Sequence, residues 1–283
     1  MRGNKIVLSA FSDEYAVPFE KQLEAMARFG IGYVELRTVD GKNVSALTGD
    51  EVAEARRKLE SFGISVSAIG SPIGKVVLDG DISGHFEMAR RVFETANTLG
   101  TRFVRMFSFY APEGKNITQM KTEVFDGLYK LLELAREHGV VLCHENEAKI
   151  YGDVPARCRE IYDAFGGEIK CVFDMGNYVL EGVDPYPEAY GLLRNGIAYF
   201  HIKDALYEGA IVPPGAGKAK IREILDTHSE RADAPFFVTL EPHLQLFSGL
   251  NALVGRSFDN PYKYSDSESA FEDALKRLKE LIS

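Results

Sequence analysis

One pattern governs what this chain can fold into: an amphipathic helix, then Gly, then a short apolar strand, written six times. Phe29-Gly30 precedes Tyr33-Val34-Glu35-Leu36, Phe62-Gly63 precedes residues 64–69, and Leu99-Gly100 precedes Phe103-Val104-Arg105-Met106. His138-Gly139 precedes residues 140–143, Gly166-Gly167 precedes 169–173, and Asn195-Gly196 precedes 197–201. Gly just past a helix supplies the left-handed residue that ends it. A strand following at once is the αβ half of a βαβ unit. Residues 6–10 and 236–240 complete eight strands. The spacing predicts helices over 17–29, 48–62, 86–99, 117–138, 155–165, 187–195 and 221–228, and a last one over 267–281 with Ser265 or Asp266 as N-cap. With no linker or low-complexity break, this predicts a single domain over residues 1–283, an α/β protein folded as a (β/α)8 TIM barrel. An open doubly wound sheet is the alternative. The longest irregular stretch, residues 244–266, carries Leu246, Phe247, Leu250 and Leu253 and reads as a lid or a subunit interface, a hint of a homo-oligomer.

Charge narrows the partners. Lys plus Arg number 33 against 42 Asp plus Glu, a net charge of -9. Nucleic acid and anionic membranes need a basic face, so neither is expected. A small anionic substrate needs only a local basic cluster. Cys143, Cys158 and Cys171 are odd in number and lack CxxC spacing, which reads as buried free thiols in a reducing compartment. There is no signal-like N-terminus and no apolar run long enough to span a membrane. The expectation is a cytoplasmic protein.

Four polar residues stand where apolar runs stop: Glu145 after 140–144, Asp174 after 170–173, His201 after 198–200, and Glu241 after 236–240. An unpaired carboxylate at the end of a buried strand is costly to desolvate. In a barrel, C-terminal strand ends form the active face. Strand parity turns Glu145 inward with Cys143 and Val141, Asp174 with Val172, and His201 with Tyr199. Three oxygen donors and one nitrogen suit one divalent cation, Mn2+ first, with Mg2+, Co2+ or Zn2+ as alternatives, better than a thiolate-rich zinc site. The alternative is a set of separate ion pairs. A carbonyl and adjacent hydroxyl held by such a cation have their shared carbon acidified. Glu145 and Glu241 would then serve as acid and base. Reprotonation at the opposite face gives an epimer, and at the neighbouring carbon an isomer.

Around them, Lys203, Arg105, Glu35, Asn146 and His243 are candidate substrate-binding residues. Lys203 could instead pair with Asp204 at the surface, Arg105 and Glu35 with each other or with other charges inside the barrel, and Asn146 with Glu145. His144 has the opposite parity to Glu145 and is expected to face a helix or loop. His85, His138 and His228, in or beside helices, are expected to be solvated. Gly215-Ala216-Gly217-Lys218 reads as a turn more readily than as a phosphate cradle.

His144-Glu145-Asn146-Glu147 with Tyr151-Gly152-Asp153, Phe173-Asp174-Met175-Gly176-Asn177, His201-Ile202-Lys203-Asp204 and Glu241-Pro242-His243 resemble the sugar phosphate isomerase/epimerase family of xylose isomerase-like TIM barrels. Ala10-Phe11-Ser12-Asp13-Glu14 and Val34-Glu35-Leu36-Arg37 fit it too. The resemblance spans essentially the whole chain. It implies one divalent metal held by Glu145, Asp174, His201 and Glu241, with the two glutamates doubling as acid and base, and a sugar or polyol substrate. The family also holds inosose dehydratases and enzymes acting on 3-oxo-glycosides by elimination, so a lyase is the alternative outcome, and a non-catalytic sugar-binding barrel the other. The 3-epimerase pattern carries a substrate-binding His shortly after the strand-six Asp, where Asn177 and Tyr178 stand here. Related apurinic endonucleases use a His-rich multi-zinc site, whereas this chain has six His in all.

Overall fold

The computed structural model describes residues 5–244 and 262–283. Eight parallel strands close into a barrel: β1 (Ile6–Ala10), β2 (Tyr33–Leu36), β3 (Ser65–Ile69), β4 (Phe103–Met106), β5 (Val141–Glu145), β6 (Lys170–Asp174), β7 (Ile197–Ile202) and β8 (Phe236–Leu240). Each pairs with its neighbours in sequence, and β8 closes on β1 from Ile6↔Phe236 to Ala10↔Leu240. The open-sheet alternative is thereby excluded. Among the described residues nine helices surround the strands: α1 (Phe19–Phe29), α2 (Gly49–Ser61), α3 (Ile82–Thr98), α4 (Lys121–His138), α5 (Pro155–Ala164), α6 (Met175–Leu180), α7 (Tyr190–Leu193), α8 (Ile221–Arg231) and α9 (Ser267–Ile282). None is long and apolar enough to cross a membrane.

The punctuation in the sequence does what its chemistry dictates. Gly30 and Gly139 end α1 and α4 at φ 71° and 67°, a backbone region closed to most side chains. Thr48 and Glu51 form a reciprocal capping box on α2, and the Asp266 side chain accepts from Ser269 N to start α9. Such caps contribute about 1 kcal/mol each. Strand alternation then builds two apolar layers. Ala68, Cys143, Val172 and Tyr199 fill the barrel interior. Val104, Leu142, Phe173, Phe200 and Leu240 belong instead to the larger core that the strands share with the helices. Each fully buried large side chain there contributes roughly 1.5–3 kcal/mol.

The departures from expectation are local. The helix expected over 187–195 is reduced to α7, preceded by an irregular turn at Pro185–Ala189. The first turn of the helix expected over 117–138 is a separate 3-10 turn, Ile117–Gln119. α6 was not anticipated, because six residues with five buried show no polar face to reveal a helical period. His85 is buried and accepts from Gly74 N at 2.8 Å, and His228 packs edge-on to Phe200 and Phe236, so the expectation of solvated imidazoles fails for both. All three cysteines are buried and free. The lid or interface expected over 244–266 falls mainly on residues 245–261, outside those described.

Candidate metal centre

Register brings the four strand-end residues together. Asp174 on β6 lies beside His201 on β7, which lies beside Thr239 on β8, two residues before Glu241. One donor atom from each of Glu145, Asp174, His201 and Glu241 lies within 4.8 Å of the others, and all four side chains are buried. His201 Nδ1 is 2.9 Å from Glu145 Oε1 and 3.4 Å from Glu241 Oε2. Its Nε2 donates to Glu35 Oε2 at 2.9 Å, and Tyr199 OH donates to Glu35 Oε1 at 3.1 Å. A register shift in β2 between Val34 and Glu35 sits at this point of the barrel, the kind of irregularity that re-aims a side chain.

The remaining sequence candidates fall around this cluster. Arg105 Nη1 lies 3.2 Å from Glu145 Oε2 and 3.7 Å from Glu241 Oε1. Lys203 Nζ lies 2.8 Å from Asp174 Oδ2 and 3.2 Å from Glu241 Oε2, and donates to Asn177 Oδ1 at 3.1 Å. Its pairing with Asp204 is not found. Asp204 instead accepts backbone N–H groups from Ala205, Gly215, Gly217 and Ala219 at 2.8–3.0 Å. The Gly215–Gly217 amides are thus spent on an internal carboxylate, as a turn. His243 Nε2 reaches Glu14 Oε1 at 3.2 Å and Glu241 Oε1 at 3.5 Å. Asn146 turns from the cavity and clamps β6, its side chain bonding Asp174 N and O at 3.0 and 2.9 Å. His144 Nε2 meets Ser108 Oγ at 3.0 Å, away from the site.

A cavity of about 200 Å³ opens over the cluster. Arg105, Lys203, His243, Glu145 and Glu241 line it, whereas Glu35 and Asn146 do not. Residues not singled out as candidates complete the site. Arg37 forks onto Asp13 at 2.9 and 3.0 Å and reaches Glu14 and Glu241, each at 3.2 Å. Arg37 directly follows β2, so the strand-end rule would have found it; Glu14 closes the 3-10 turn after β1 and lies beyond that rule. Lys75 and Lys149 line the outer cavity from the loops after β3 and β5.

Electrostatics show how crowded the cluster is. Burial raises Asp174, and the Glu145 and Glu241 charges add to it, so despite the Lys203 ammonium its carboxyl is pushed up to about 7. Burial likewise raises Glu14 to about 7 against Arg37. Burial alone would raise Glu145, but His201 and Arg105 outweigh it and hold the group down at about 2. Burial opposes the charge on His201, yet Glu35, Glu145 and Glu241 lift it well above the ordinary imidazole range. Six carboxylates (Asp13, Glu14, Glu35, Glu145, Asp174 and Glu241) thus face three permanent cations (Arg37, Arg105 and Lys203). Glu145 Oε2 and Glu241 Oε2 are buried and are met through ion pairs, with Arg105 and with Lys203 and His201. Carboxylates in excess of the permanent cations and a converging O3N donor set together fit a divalent cation.

Residues 23–281 match the family model described as xylose isomerase-like TIM barrel. The chain belongs to that family. No curated protein sequence matches it. Among solved structures, this family member is similar to the probable 3-DHS dehydratase AsbF of Bacillus anthracis, with TM-score 0.72 and 18% identity over 97% of this chain and 98% of that one. A Mycobacterium smegmatis xylose isomerase-like TIM barrel protein, solved with magnesium, gives 0.69 and 16% over 99% and 98%. The D-allulose 3-epimerase of a Methylomonas species gives 0.74 and 13% over 98% of each chain. Family resemblance therefore reaches epimerases and a dehydratase.

Proposed function

We propose that this chain is a divalent-metal-dependent isomerase or epimerase of a sugar or polyol, acting by proton abstraction next to a carbonyl through an enediolate. One observation carries the reading: two buried glutamates, one ending β5 and one just after β8, line one small cavity beside Asp174 and His201. Glu145, Asp174, His201 and Glu241 would hold the cation, Mn2+ by preference. When bound, it supplies Lewis acidity toward a carbonyl and the adjacent hydroxyl. Glu145, with the Arg105 guanidinium beside it, takes the proton from the carbon between them. Arg105 and Lys203 face the negative charge that then develops on oxygen. Glu241 returns a proton from the other side, while Arg37 and His243 fix its carboxylate. Glu35 orients His201 through Nε2, the arrangement that sets which ring nitrogen faces the metal. Expulsion of a β-hydroxyl from the same enediolate is the second reading. Asn177 in place of the epimerase-type His, and a dehydratase among the structural neighbours, favour it.

The test is solvent-deuterium incorporation across ketoses, inososes and 3-oxo-glycosides with Mn2+ present. Exchange should occur in the parent and vanish in Glu145→Gln and Glu241→Gln, both still folded. Retained exchange in either variant removes that glutamate from the proton-transfer role. Loss of water or aglycone in the products selects the lyase.

A further inference from the structure

The cationic side chains around the cavity are not equivalent. Arg37, Arg105 and Lys203 are neutralised by the carboxylates of the cluster. Lys75 Nζ lies 3.2 Å from Glu147 Oε2 and 4.2 Å from the Phe107 ring centroid. Glu147 spends its other oxygen on Ala148 N at 3.0 Å. Glu181, also on the lining, has a partner of its own. Lys149 differs: it lines the same cavity, is exposed, and has no ion-pair partner among the described residues.

Its backbone is unusual as well. Lys149 sits at φ 67°, where L residues other than Asn and Asp are rare. The loop that imposes this is tied down. Ile150 pairs antiparallel with Tyr110, and Tyr110 pairs with Val77, two residues beyond Lys75. Tyr110 N bonds Val76 O at 3.0 Å, and Leu78 N bonds Tyr110 O at 3.1 Å. Lys75 and Lys149 therefore stand on one backbone-bonded lip carrying one acid, Glu147, and one uncompensated ammonium. Strain of this kind clusters where a ligand is gripped.

We infer that Lys149, seconded by Lys75, is a specificity-determining residue that receives a carboxylate on the substrate's outer end, so that the substrate is a polyhydroxylated acid. The inference rests on the preceding reading for the reacting end alone. A carboxylate is favoured over a phosphate because one free ammonium matches one charge. The amides that could cradle a phosphate are already taken: Asp174 Oδ1 accepts from Asn177 N in the first turn of α6, and Asp204 holds the Gly215 and Gly217 amides.

The experiment is calorimetric titration of D-glucitol, D-gluconate and D-glucitol 6-phosphate into the protein, once in Mg2+ buffer and once in EDTA. Gluconate should bind about tenfold tighter than glucitol, the worth of about 1.4 kcal/mol. Lys149→Met and Lys149→Gly should each bring that ratio within about twofold of unity, with glucitol affinity unchanged, because about 1.4 kcal/mol is what the ratio contains. Lys149→Gly should melt no lower than the parent, since Gly tolerates this φ. Equal affinities in the parent, or a preference that survives both substitutions, overturns the inference. Tighter binding of the phosphate than of gluconate overturns the assignment to a carboxylate. Proton exchange is not read here, so a failure of the enediolate reading would show in the deuterium experiment and not in these ratios.

Discussion

Glu35→Gln isolates the charge behind the proposed ligand His201. Glu35 is 1% exposed, and both its oxygens are engaged, by His201 Nε2 at 2.9 Å and Tyr199 OH at 3.1 Å. Gln keeps the shape. Its carbonyl oxygen still accepts from His201, and its amide turns to the Tyr199 hydroxyl oxygen, so the bonds survive and the charge does not. A hydrogen bond to a charged group contributes about 1.5–3 kcal/mol and a neutral one about 0.5–1.5, a difference of about 1–1.5 kcal/mol. That is close to tenfold in affinity, the lower end of the roughly 10–100-fold effect of such supporting carboxylates. Chelator competition with Mn2+ should therefore show affinity down about tenfold, while melting in EDTA shows an intact fold. Affinity within about twofold of the parent would refute the argument that Glu35 tunes the site through His201.

Three further outcomes are expected. Asp174→Asn or His201→Ala should lose Mn2+ on dialysis, read by elemental analysis, because each removes a donor from the cluster. Gly152→Ala should lower stability by about 1–3 kcal/mol in denaturant titration, because its Cβ would stand 2.3 Å from His144 Cε1 and 2.7 Å from Nε2. His228 should make the fold acid-sensitive: burial lowers it to about 4, so the unfolded chain binds the extra proton first, and stability present above about 6.5 falls as pH drops toward 4. After discounting for partial exposure the loss is on the order of 1 kcal/mol, and in His228→Gln the slope of melting temperature against pH should flatten in that window.

Much of the barrel was legible because its signals are local. The Gly that follows most of the helices and the apolar run after it need no knowledge of the rest of the chain, and β1, β2, β4 and β8 have the limits the sequence implies. The gathering of Glu145, Asp174, His201 and Glu241 was legible because parity and strand position repeat from unit to unit. The partners were not. Whether Lys203 would turn to Asp204 beside it or to Asp174 on the next strand depends on register, which adjacency in sequence does not encode. For Glu35 the sequence leaves substrate and internal charges equally open, and the structure puts it behind His201; Asn146, a candidate for substrate or Glu145, lies instead behind Asp174. That depth within the barrel is set by stagger between strands and by the irregularity in β2. Lys149 carries no sequence signal, since an unpaired lysine in a strained loop resembles any surface lysine until the loop is seen.

Closure of β8 on β1 has a consequence for how the protein comes into being. Glu241 is the last of the four donors to be synthesised, and it is fastened by Arg37, which Asp13 and Glu14 hold from the opposite end of the chain. A growing polypeptide still attached to the ribosome has three donors and a ring with a gap. Any capacity of this cluster to capture the proposed cation should therefore arrive late and all at once, when the final stave shuts against the first.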